Sequence, residues 1–343
     1  MNELRVKNHY VPELYLKQWE NISNKVCVYR TLVSHQNQRI WKKHSSGAIA
    51  YQRHLYTQVI SGVEYDEFER WIDMHYESPA KDAIEKATSD RRLSKDDWDV
   101  LIRFLACQDV RTPARLLEHL NREHSEYQKT LQDSVERVKY ELENNIITPD
   151  DAPEENNEID RQYPLKVITE LDPKSDMGLL RVESYIGRAT WLHSIKHLLE
   201  NTEKVLHEHK WSIIKPAKGY SWFTSDNPVV KLNFTDDTNY DFGGGWCREK
   251  GNIIFPIGPQ HAMFVQIGDK PVLKGTRLNE PLTRQLRKFI AEHSHRMIFS
   301  NRFDDEMILL RPRVVNYKAV ISERKQIESW HEQNKQLETE YLK

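Results

Sequence analysis

Residues 224–228 (TSDNP) form a polar segment between two runs of aromatic and β-branched residues. The runs predict strands and the segment predicts a tight turn, because Asp and Asn side chains bond nearby backbone and Pro keeps its predecessor extended. A rigid turn that presents a carboxylate is a place where a site can be built. Asp226 is therefore the first candidate, and the open alternative is that its side chain only caps the turn.

Three polar side chains interrupt the apolar face of a helix predicted over residues 94–123. Gln108, Arg111 and Arg115 stand where the helical period requires apolar residues. Because an unpaired buried polar group is strongly destabilising, these side chains need partners from elsewhere in the chain. Two interpretations stay open: a polar network that crosses the core, or an anion site lined by Arg111.

Carboxylates recur on one face of another predicted helix, between residues 66 and 88. Glu69, Asp73 and Glu77 follow one another at intervals of four residues, which places them in a column. Like charges at this spacing repel by a few tenths of a kcal/mol per pair. The column is therefore either a solvated acidic face or a set of ligands for a metal ion.

Two histidine arrangements have the spacing of known sites. His193 and His197 lie four residues apart, as in helical zinc sites, but Ser194 stands where HExxH requires Glu. Arg188 precedes His193 with the spacing of the Arg-x4-His ribonucleases of prokaryotic defence and toxin systems. Both spacings arise easily by chance in a chain with 15 histidines. The sequence has no GxSxG, P-loop, Rossmann or kinase motif.

The elements that must position these residues change type along the chain. Hydrophobic residues recur mainly at the helical spacing up to about residue 210, and from Trp211 onward they alternate as in strands. We therefore expect an α+β fold with an N-terminal strand pair, a central helical block and a C-terminal, mostly antiparallel sheet. The expected segments are 1–62 (strands and a helix), 63–147 (helices), 148–160 (acidic linker), 161–210 (helices), 211–320 (sheet) and 321–343 (terminal helix).

Individual elements are predicted within these segments. Residues 25–30 and 54–59 predict two strands that pair with each other, and residues 34–50 predict an irregular stretch. Pro79 predicts a kink or a break within a helix and Pro113 predicts a kink, because proline cannot donate to the helical ladder. Further predictions are helices at 179–207 and 326–341 and strands at 297–300 and 307–310.

Composition limits the partners and the compartment. Basic and acidic residues number 50 and 52, so the formal net charge of −2 gives no overall attraction to nucleic acid or an anionic membrane. The first residues do not predict a signal peptide, and no apolar run predicts a membrane span. Cys27, Cys107 and Cys247 are isolated, which is typical of a reducing compartment. We expect a cytoplasmic protein with no membrane partner, whose terminal helix contacts its own body, a protein partner or a second copy.

Four separated pieces of the sequence occur together in one known family. They are His9-x-Val11-Pro12, Phe104-x-x-x-Gln108-x-x-Arg111-Thr112-Pro113, Thr224-Ser225-Asp226-x-Pro228 and Phe255-Pro256. In this order they resemble the bacterial family known as domain of unknown function 4238, over about residues 7–300. The resemblance implies an α+β fold, and it implies no particular activity. It gives the following motif residues: His9, Gln108, Arg111, Thr224, Ser225 and Asp226.

Motif residues of these types favour a polar site over pure packing. Asp226 and one of Glu69 or Glu77 would hold Mg²⁺ or Mn²⁺, with His9 as general base. Gln108 and Arg111 complete the candidate catalytic set. A phosphate would be bound by cationic, amide and hydroxyl groups: Arg111, Arg115, Thr224, Ser225 and Asn227.

This chemistry is that of phosphodiester hydrolysis. We therefore predict a metal-dependent nuclease acting on DNA or RNA, of the kind that serves as a bacterial defence or toxin effector. One alternative is a non-catalytic module that uses Arg111 and Asp226 to bind a ligand or protein. The other is a metal-independent ribonuclease built on Arg188 and His193.

Overall fold

The computed structural model describes residues 3–146, 165–171 and 178–342. It shows a mixed α+β fold with N-terminal strands, central helices between residues 67 and 143, and a C-terminal six-stranded sheet followed by a helix. The predicted fold class is confirmed. The acidic linker predicted at 148–160 lies outside the described residues.

The helices begin at local sequence signals. Ser94 and Asp97 form a reciprocal capping box at the start of one helix. Thr112 caps the next one, and Pro113 occupies its first turn, where a missing N–H is tolerated. The helices are α1 (Glu13–Leu16), α2 (Glu67–Ile72), α3 (Ser78–Thr88), α4 (Lys95–Val110), α5 (Pro113–Glu143), α6 (Arg188–His197), α7 (Glu280–His293), α8 (Met307–Leu310) and α9 (Tyr317–Tyr341). Tighter or wider helical turns lie at Lys17–Trp19, Ser46–Ala48, Asp73–Glu77, Leu198–Thr202 and Glu203–Glu208.

The described strands form one six-stranded sheet, one four-stranded sheet and four two-stranded pairs. In chain order they are β1 (Lys7–His9), β2 (Val26–Arg30), β3 (Leu32–Val33), β4 (Trp41–His44), β5 (Tyr51–Arg53), β6 (Gln58–Ile60), β7 (Val63–Tyr65), β8 (Leu165–Leu171), β9 (Gly178–Ser184), β10 (Ser212–Lys215), β11 (Thr224–Ser225), β12 (Val230–Asp236), β13 (Asn239–Asp241), β14 (Asn252–Gly258), β15 (His261–Gln266), β16 (Thr276–Arg277), β17 (Met297–Ser300) and β18 (Val314–Val315). The six-stranded sheet has the order β13-β12-β14-β15-β10-β16, antiparallel except between β10 and β16. The four-stranded sheet, β11-β17-β2-β4, is antiparallel.

The six-stranded sheet is buried on both faces. Phe255 of β14 packs with Phe104 of α4, at a ring-centroid distance of 5.9 Å. Its neighbour Ile254 points to the opposite face and joins the apolar cluster that contains Phe289 of α7. Apolar clusters therefore cover the sheet from both sides, and the segment at 224–228 lies within this packed interior.

Several local predictions are wrong. Residues 26–30 pair with β17 and β4 rather than with 54–59, because β2 is buried nearly throughout and its pattern does not identify a partner. β4 lies inside the stretch predicted to be irregular. Residues 178–184 form strand β9 instead of a helix, and residues 307–310 form helix α8 instead of a strand. Short apolar runs fit either period, so flanking residues decide the outcome.

Pro79 follows a wide turn inside a continuous helical run, whereas Pro113 separates two helices. Pro79 lies in the first turn of α3, directly after the wider turn Asp73–Glu77. Pro113 begins α5 after α4 has ended at Val110. Two helix ends therefore meet around residues 110–113, and the backbone groups exposed there recruit side-chain partners.

The terminal helix begins at Tyr317 rather than near Gln326 and docks on the body of the protein. Asn334 and Glu338 are buried on its inner face, where Glu338 forms an ion pair with the equally buried Arg188 of α6. No described helix is long and apolar enough to cross a membrane.

Candidate functional site

Arg111 stands at the junction between α4 and α5 and is completely buried. Its Nε donates to the carbonyl of Tyr10 over 3.1 Å, and Nη2 donates to the carbonyl of His9. Its Nη1 lies 2.5 Å from Oε1 of Glu77. The partners required for a buried arginine thus come from the N-terminal segment and from the acidic column. Arg111 fixes these two segments together and has no surface that a substrate could reach.

Glu69 lies beside this ion pair and is only partly buried as a residue, although its Oε2 is enclosed and bonds no described group. Burial raises the pKa of Glu69 to about 8; Arg111 opposes the rise and the Glu77 carboxylate adds to it. The side chain therefore carries a proton at neutral pH. Two carboxyl groups at one place, one ion-paired and one protonated, are the arrangement used for acid–base chemistry.

His9 is joined to Arg111 through its backbone carbonyl, and its imidazole lies beside Glu13 and the ring of Tyr51. Its Nε2 is enclosed without a hydrogen-bond partner and lies 3.5 Å from Oε1 of Glu13. Burial lowers the pKa of His9, the Glu13 carboxylate opposes this, and Lys7 and Arg111 lower it further. A neutral imidazole with a free ring nitrogen is suited to accept a proton.

Asp226 has a different environment from the one predicted. It is 2% exposed, and its Oδ1 accepts a hydrogen bond from the backbone N–H of His295 at 2.9 Å. Its Oδ2 accepts from the backbone N–H groups of Arg296 at 2.7 Å and Met297 at 2.9 Å. Burial raises the pKa of Asp226 to about 7, and the three N–H groups act against that rise. Its oxygens thus accept from backbone donors that join Asp226 to the sheet, and its role as a metal ligand stays a prediction.

The other polar residues of the 224–228 segment are also bonded within the protein. Tyr15 donates to the carbonyl of Pro256 over 2.5 Å, so the hydroxyl of Thr224 donates to the Tyr15 oxygen, 2.6 Å away. Ser225 donates to the carbonyl of Asn227 over 2.9 Å. These hydroxyls are buried and bonded within the protein, and the phosphate-binding role of Thr224, Ser225 and Asn227 stays a prediction.

Asn227 links the segment to the α4–α5 junction. Its Oδ1 accepts a 3.2 Å hydrogen bond from the hydroxyl of Thr112, and its Nδ2 lies 3.3 Å from Nε2 of His293. The motif pieces around His9, Arg111 and Asp226 therefore belong to one connected network in which most groups position one another.

Gln108 is the exception within this network. It is fully buried, and neither its Oε1 nor its Nε2 bonds any described group. It shares a face of α4 with Phe104, four residues earlier, and therefore points into the apolar interior rather than toward solvent. An unbonded buried amide is destabilising, so a small polar molecule such as water is the partner that this position suits.

A family model supplies the one match from comparison with known proteins. The model described as protein of unknown function (DUF4238) matches residues 7–304 of the chain. The chain belongs to the DUF4238 family. No curated protein and no solved structure matches it. The region matched to DUF4238 runs from β1 past β17 and ends before the terminal helix α9.

The DUF4238 chain has a second buried polar cluster that sequence reasoning missed. Asp109 is 1% exposed, and its carboxylate accepts from Arg115, Lys231 and Trp246, each over 2.7 Å. Its carbonyl, freed where α4 ends, accepts from Nε of Arg115 over 3.0 Å. These cations hold the pKa of Asp109 well below its usual range despite burial. Arg115 thus forms ion pairs with Asp109 and with Glu118, and its phosphate-binding role stays a prediction. A lysine inside an apolar strand, at Lys231, was the available signal.

Another missed cluster joins α9 to the body. Side-chain atoms of His54, Glu64 and His331 lie within 4.8 Å of one another, a spacing that suits a metal ion. However, Nη1 of Arg188 is 3.0 Å from Nδ1 of His331, and a guanidinium can only donate. The His331 proton therefore resides on Nε2, which donates to Glu64 over 3.0 Å. In this arrangement His331 has no lone pair directed at the cluster. The group instead holds helix α9 against the body of the protein.

Proposed function

We propose that this protein is a metal-dependent nuclease whose site is formed by Glu69, Glu77 and His9. The observation that carries the proposal is the enclosed, unbonded Oε2 of Glu69 beside the Arg111–Glu77 ion pair. A protein rarely leaves a carboxylate oxygen buried without a partner, so the position favours a ligand that the carboxylate would bind. DNA or RNA is the proposed substrate class.

Mg²⁺ or Mn²⁺ fits the donor set of this site. Glu69 and Glu77 supply hard oxygen ligands, and Mg²⁺ commonly takes one or two carboxylates together with water and substrate phosphates. When bound, the metal supplies Lewis-acid stabilisation of the phosphate charge and a water of lowered pKa. Loss of the Glu69 proton accompanies binding, because only the ionised carboxylate is a good ligand.

The protein's own groups have separate roles in the proposal. Neutral His9, with its free Nε2, accepts a proton from the attacking water. Arg111 does not touch substrate; its three donors orient Glu77 and the backbone of residues 9–10. It is a positioning residue. Asp226, Gln108, Arg115, Thr224, Ser225 and Asn227 support this scaffold from within the core.

A non-catalytic binding module is the second candidate, favoured by the structural role of Asp226. The Arg-x4-His ribonuclease is disfavoured by the position of Arg188. This arginine is fully buried, with Nε bonded to Glu338 over 2.9 Å and Nη1 to the carbonyl of His54 over 3.1 Å. A guanidinium committed in this way cannot reach a substrate.

Turnover of single-stranded and duplex DNA and RNA with Mg²⁺, Mn²⁺ or EDTA tests the proposal. We expect metal-restored cleavage that falls by about 10²-fold or more in Glu69→Gln. Glu67→Gln is the matched control, because Glu67 is an exposed carboxylate on the same helix. A wild type without turnover under any metal would leave the binding module as the better account, and a Glu69→Gln protein as active as wild type would overturn the assignment of the site to Glu69.

A further inference from the structure

The edge strand β4 borders an open cleft. The cleft has a volume of about 600 Å³. We call it the β4 cleft, and it is lined by Arg39, Trp41, Lys42, Lys43, His44 and Phe303. Among the described strands β4 pairs with β2 alone, so its second edge has no partner within the part of the chain that the structure describes. A smaller and more enclosed pocket, which shares Arg39, Lys42 and His44 with the cleft, also includes Arg30.

The cations around the β4 cleft are uncompensated. Arg30, Arg39, Lys42 and Lys43 are exposed, and none forms an ion pair within the described parts of the chain. Asp304, next in sequence to Phe303, is already paired with Arg287. The same cations affect the pKa of His44, which also lines the cleft. Burial lowers the pKa of His44, and Arg30, Lys42 and Lys25 lower it further, with no carboxylate acting in the opposite direction. In a chain of net charge −2, this is a local concentration of positive charge.

An aromatic surface lies within the same cleft. Trp41 and Phe303 stack nearly parallel, at 17° and 6.1 Å between ring centroids. Trp41 is buried and is held by a 3.3 Å hydrogen bond from Nε1 to the carbonyl of Asp304. Phe303 is 51% exposed, and Nζ of Lys43 lies 5.5 Å from its ring centroid. The buried ring of Trp41 therefore supports the exposed ring of Phe303, and the Lys43 ammonium lies beside it.

We propose that the β4 cleft binds single-stranded nucleic acid, with phosphates on its arginines and lysines and a base stacked on Phe303. Cationic grooves with exposed aromatic rings bind single strands because every base has a stacking face and every nucleotide a phosphate. A duplex hides its base faces, so stacking on Phe303 selects the unpaired strand. The assignment rests on the proposed nuclease function, whose substrate class it narrows. Lysines on an edge strand also prevent unwanted strand pairing, and that role alone would give no binding.

The test separates binding from cleavage by using EDTA. A labelled 20-nucleotide single strand is titrated with the protein, and fluorescence anisotropy is followed at 50 to 200 mM KCl. Four phosphate contacts on a single strand predict a slope of about −2.8 in log K against log salt, or a loss of about 50-fold over this range. Lys42→Ala/Lys43→Ala should make the slope shallower by about 1.4. The control is Lys204→Ala/Lys325→Ala, an equal loss of charge at exposed positions on other elements, and it should leave the slope unchanged.

Phe303→Ala tests the stacking contribution separately. It should weaken binding about tenfold without changing the salt slope, because the ring carries no charge. Circular dichroism confirms that each variant is folded. Equal affinity for a duplex of the same length, or binding only to vesicles of phosphatidylcholine with 30% phosphatidylserine, would overturn the assignment.

The two proposals fail in different ways. Metal-dependent cleavage that is unchanged in the Lys42→Ala/Lys43→Ala protein would overturn the β4 cleft while leaving the nuclease function intact. Salt-dependent binding that needs Lys42 and Phe303, from a protein that never cleaves, would support the cleft and overturn the nuclease function.

Discussion

Oδ2 of Asp226 accepts a 2.7 Å hydrogen bond from the backbone N–H of Arg296, 70 residues later in the chain. Further N–H groups, from His295 and Met297, converge on the same carboxylate. The backbone of Asp226 itself donates to the carbonyl of Met297 over 3.0 Å. The turn at 224–228 is thereby joined to the start of β17, and the carboxylate replaces a stretch of regular strand pairing.

Asp226→Asn should destabilise the protein by about 2 kcal/mol or more. An amide has one acceptor oxygen, so at least one buried N–H group loses its partner. Asp305→Asn, at an exposed carboxylate, should change stability little. Urea unfolding of both variants measures the difference. A folded, fully stable Asp226→Asn protein that has lost nuclease activity would instead restore the metal-binding role.

Because the folded protein holds a proton on Glu69, we expect its free energy of unfolding to depend on pH. The folded-state pKa of about 8 lies above that of an unfolded glutamate, so the folded protein binds the extra proton between about pH 4.5 and 8. The stability that this proton provides is present at low pH and is lost as pH rises through 8. Glu69→Gln cannot titrate, so its stability relative to wild type should increase over this window and level off above it.

Metal binding should show the opposite trend with pH. The ionised carboxylate is the ligand, so cleavage at limiting Mg²⁺ should rise as pH approaches 8. Thermal melts and initial rates across pH 5 to 9 measure both effects. Parallel melting profiles for wild type and Glu69→Gln would contradict the assigned proton.

His293 predicts a loss of stability in acid. Burial lowers its pKa to about 4; Arg115 lowers it further, and a hydrogen bond from its ring to the Asn227 backbone opposes this. The unfolded chain therefore binds a proton that the folded protein excludes, and stability falls as pH decreases from about 6.5 to 4. His293→Gln should remove about 3 kcal/mol of this dependence. His119 and His295, whose pKa values burial also lowers to about 4, contribute in the same direction. An unchanged acid profile in His293→Gln would contradict this.

Glu338→Gln should be the most destabilising of these substitutions. Arg188 and Glu338 are both completely buried, and removing one charge leaves the other without a partner at a cost of about 3–5 kcal/mol. Glu338 also accepts the backbone N–H of Val59 over 2.8 Å. Glu332→Gln, at an exposed position on α9, serves as the control in guanidinium unfolding. Equal midpoints for the two variants would show that α9 is not held by this pair.

The fold class is predictable because the hydrophobic period reports which side of each element is buried. Strand partners are less predictable, since β2 is apolar on both faces and would suit several neighbours. The need of Arg111 for partners also follows from the sequence, because it interrupts an apolar face. Two of its partners are backbone carbonyls, which every residue carries, and no side-chain pattern marks them.

The role of Asp226 was also beyond what the sequence pattern could predict. A carboxylate in a turn has the same sequence pattern whether it faces solvent or the backbone of a strand 70 residues away. Only the tertiary structure shows whether such a carboxylate is free to bind a metal or is bonded to backbone N–H groups. Glu69 and Glu77 were identifiable as a carboxylate column, but the burial that raises the pKa of Glu69 depends on packing. The β4 cleft was hidden for a related reason, because its lysines predict an irregular segment.

The ion pair between Arg188 and Glu338 also affects when the region around α6 can fold during synthesis. Residues 317–341 emerge from the ribosome after every other described element, so Arg188 has no counter-ion while the rest of the chain is being translated. Until α9 arrives, this arginine must stay hydrated, and the region around α6 and β6 cannot close. We therefore expect this region of the nascent chain to stay open until α9 has left the ribosome.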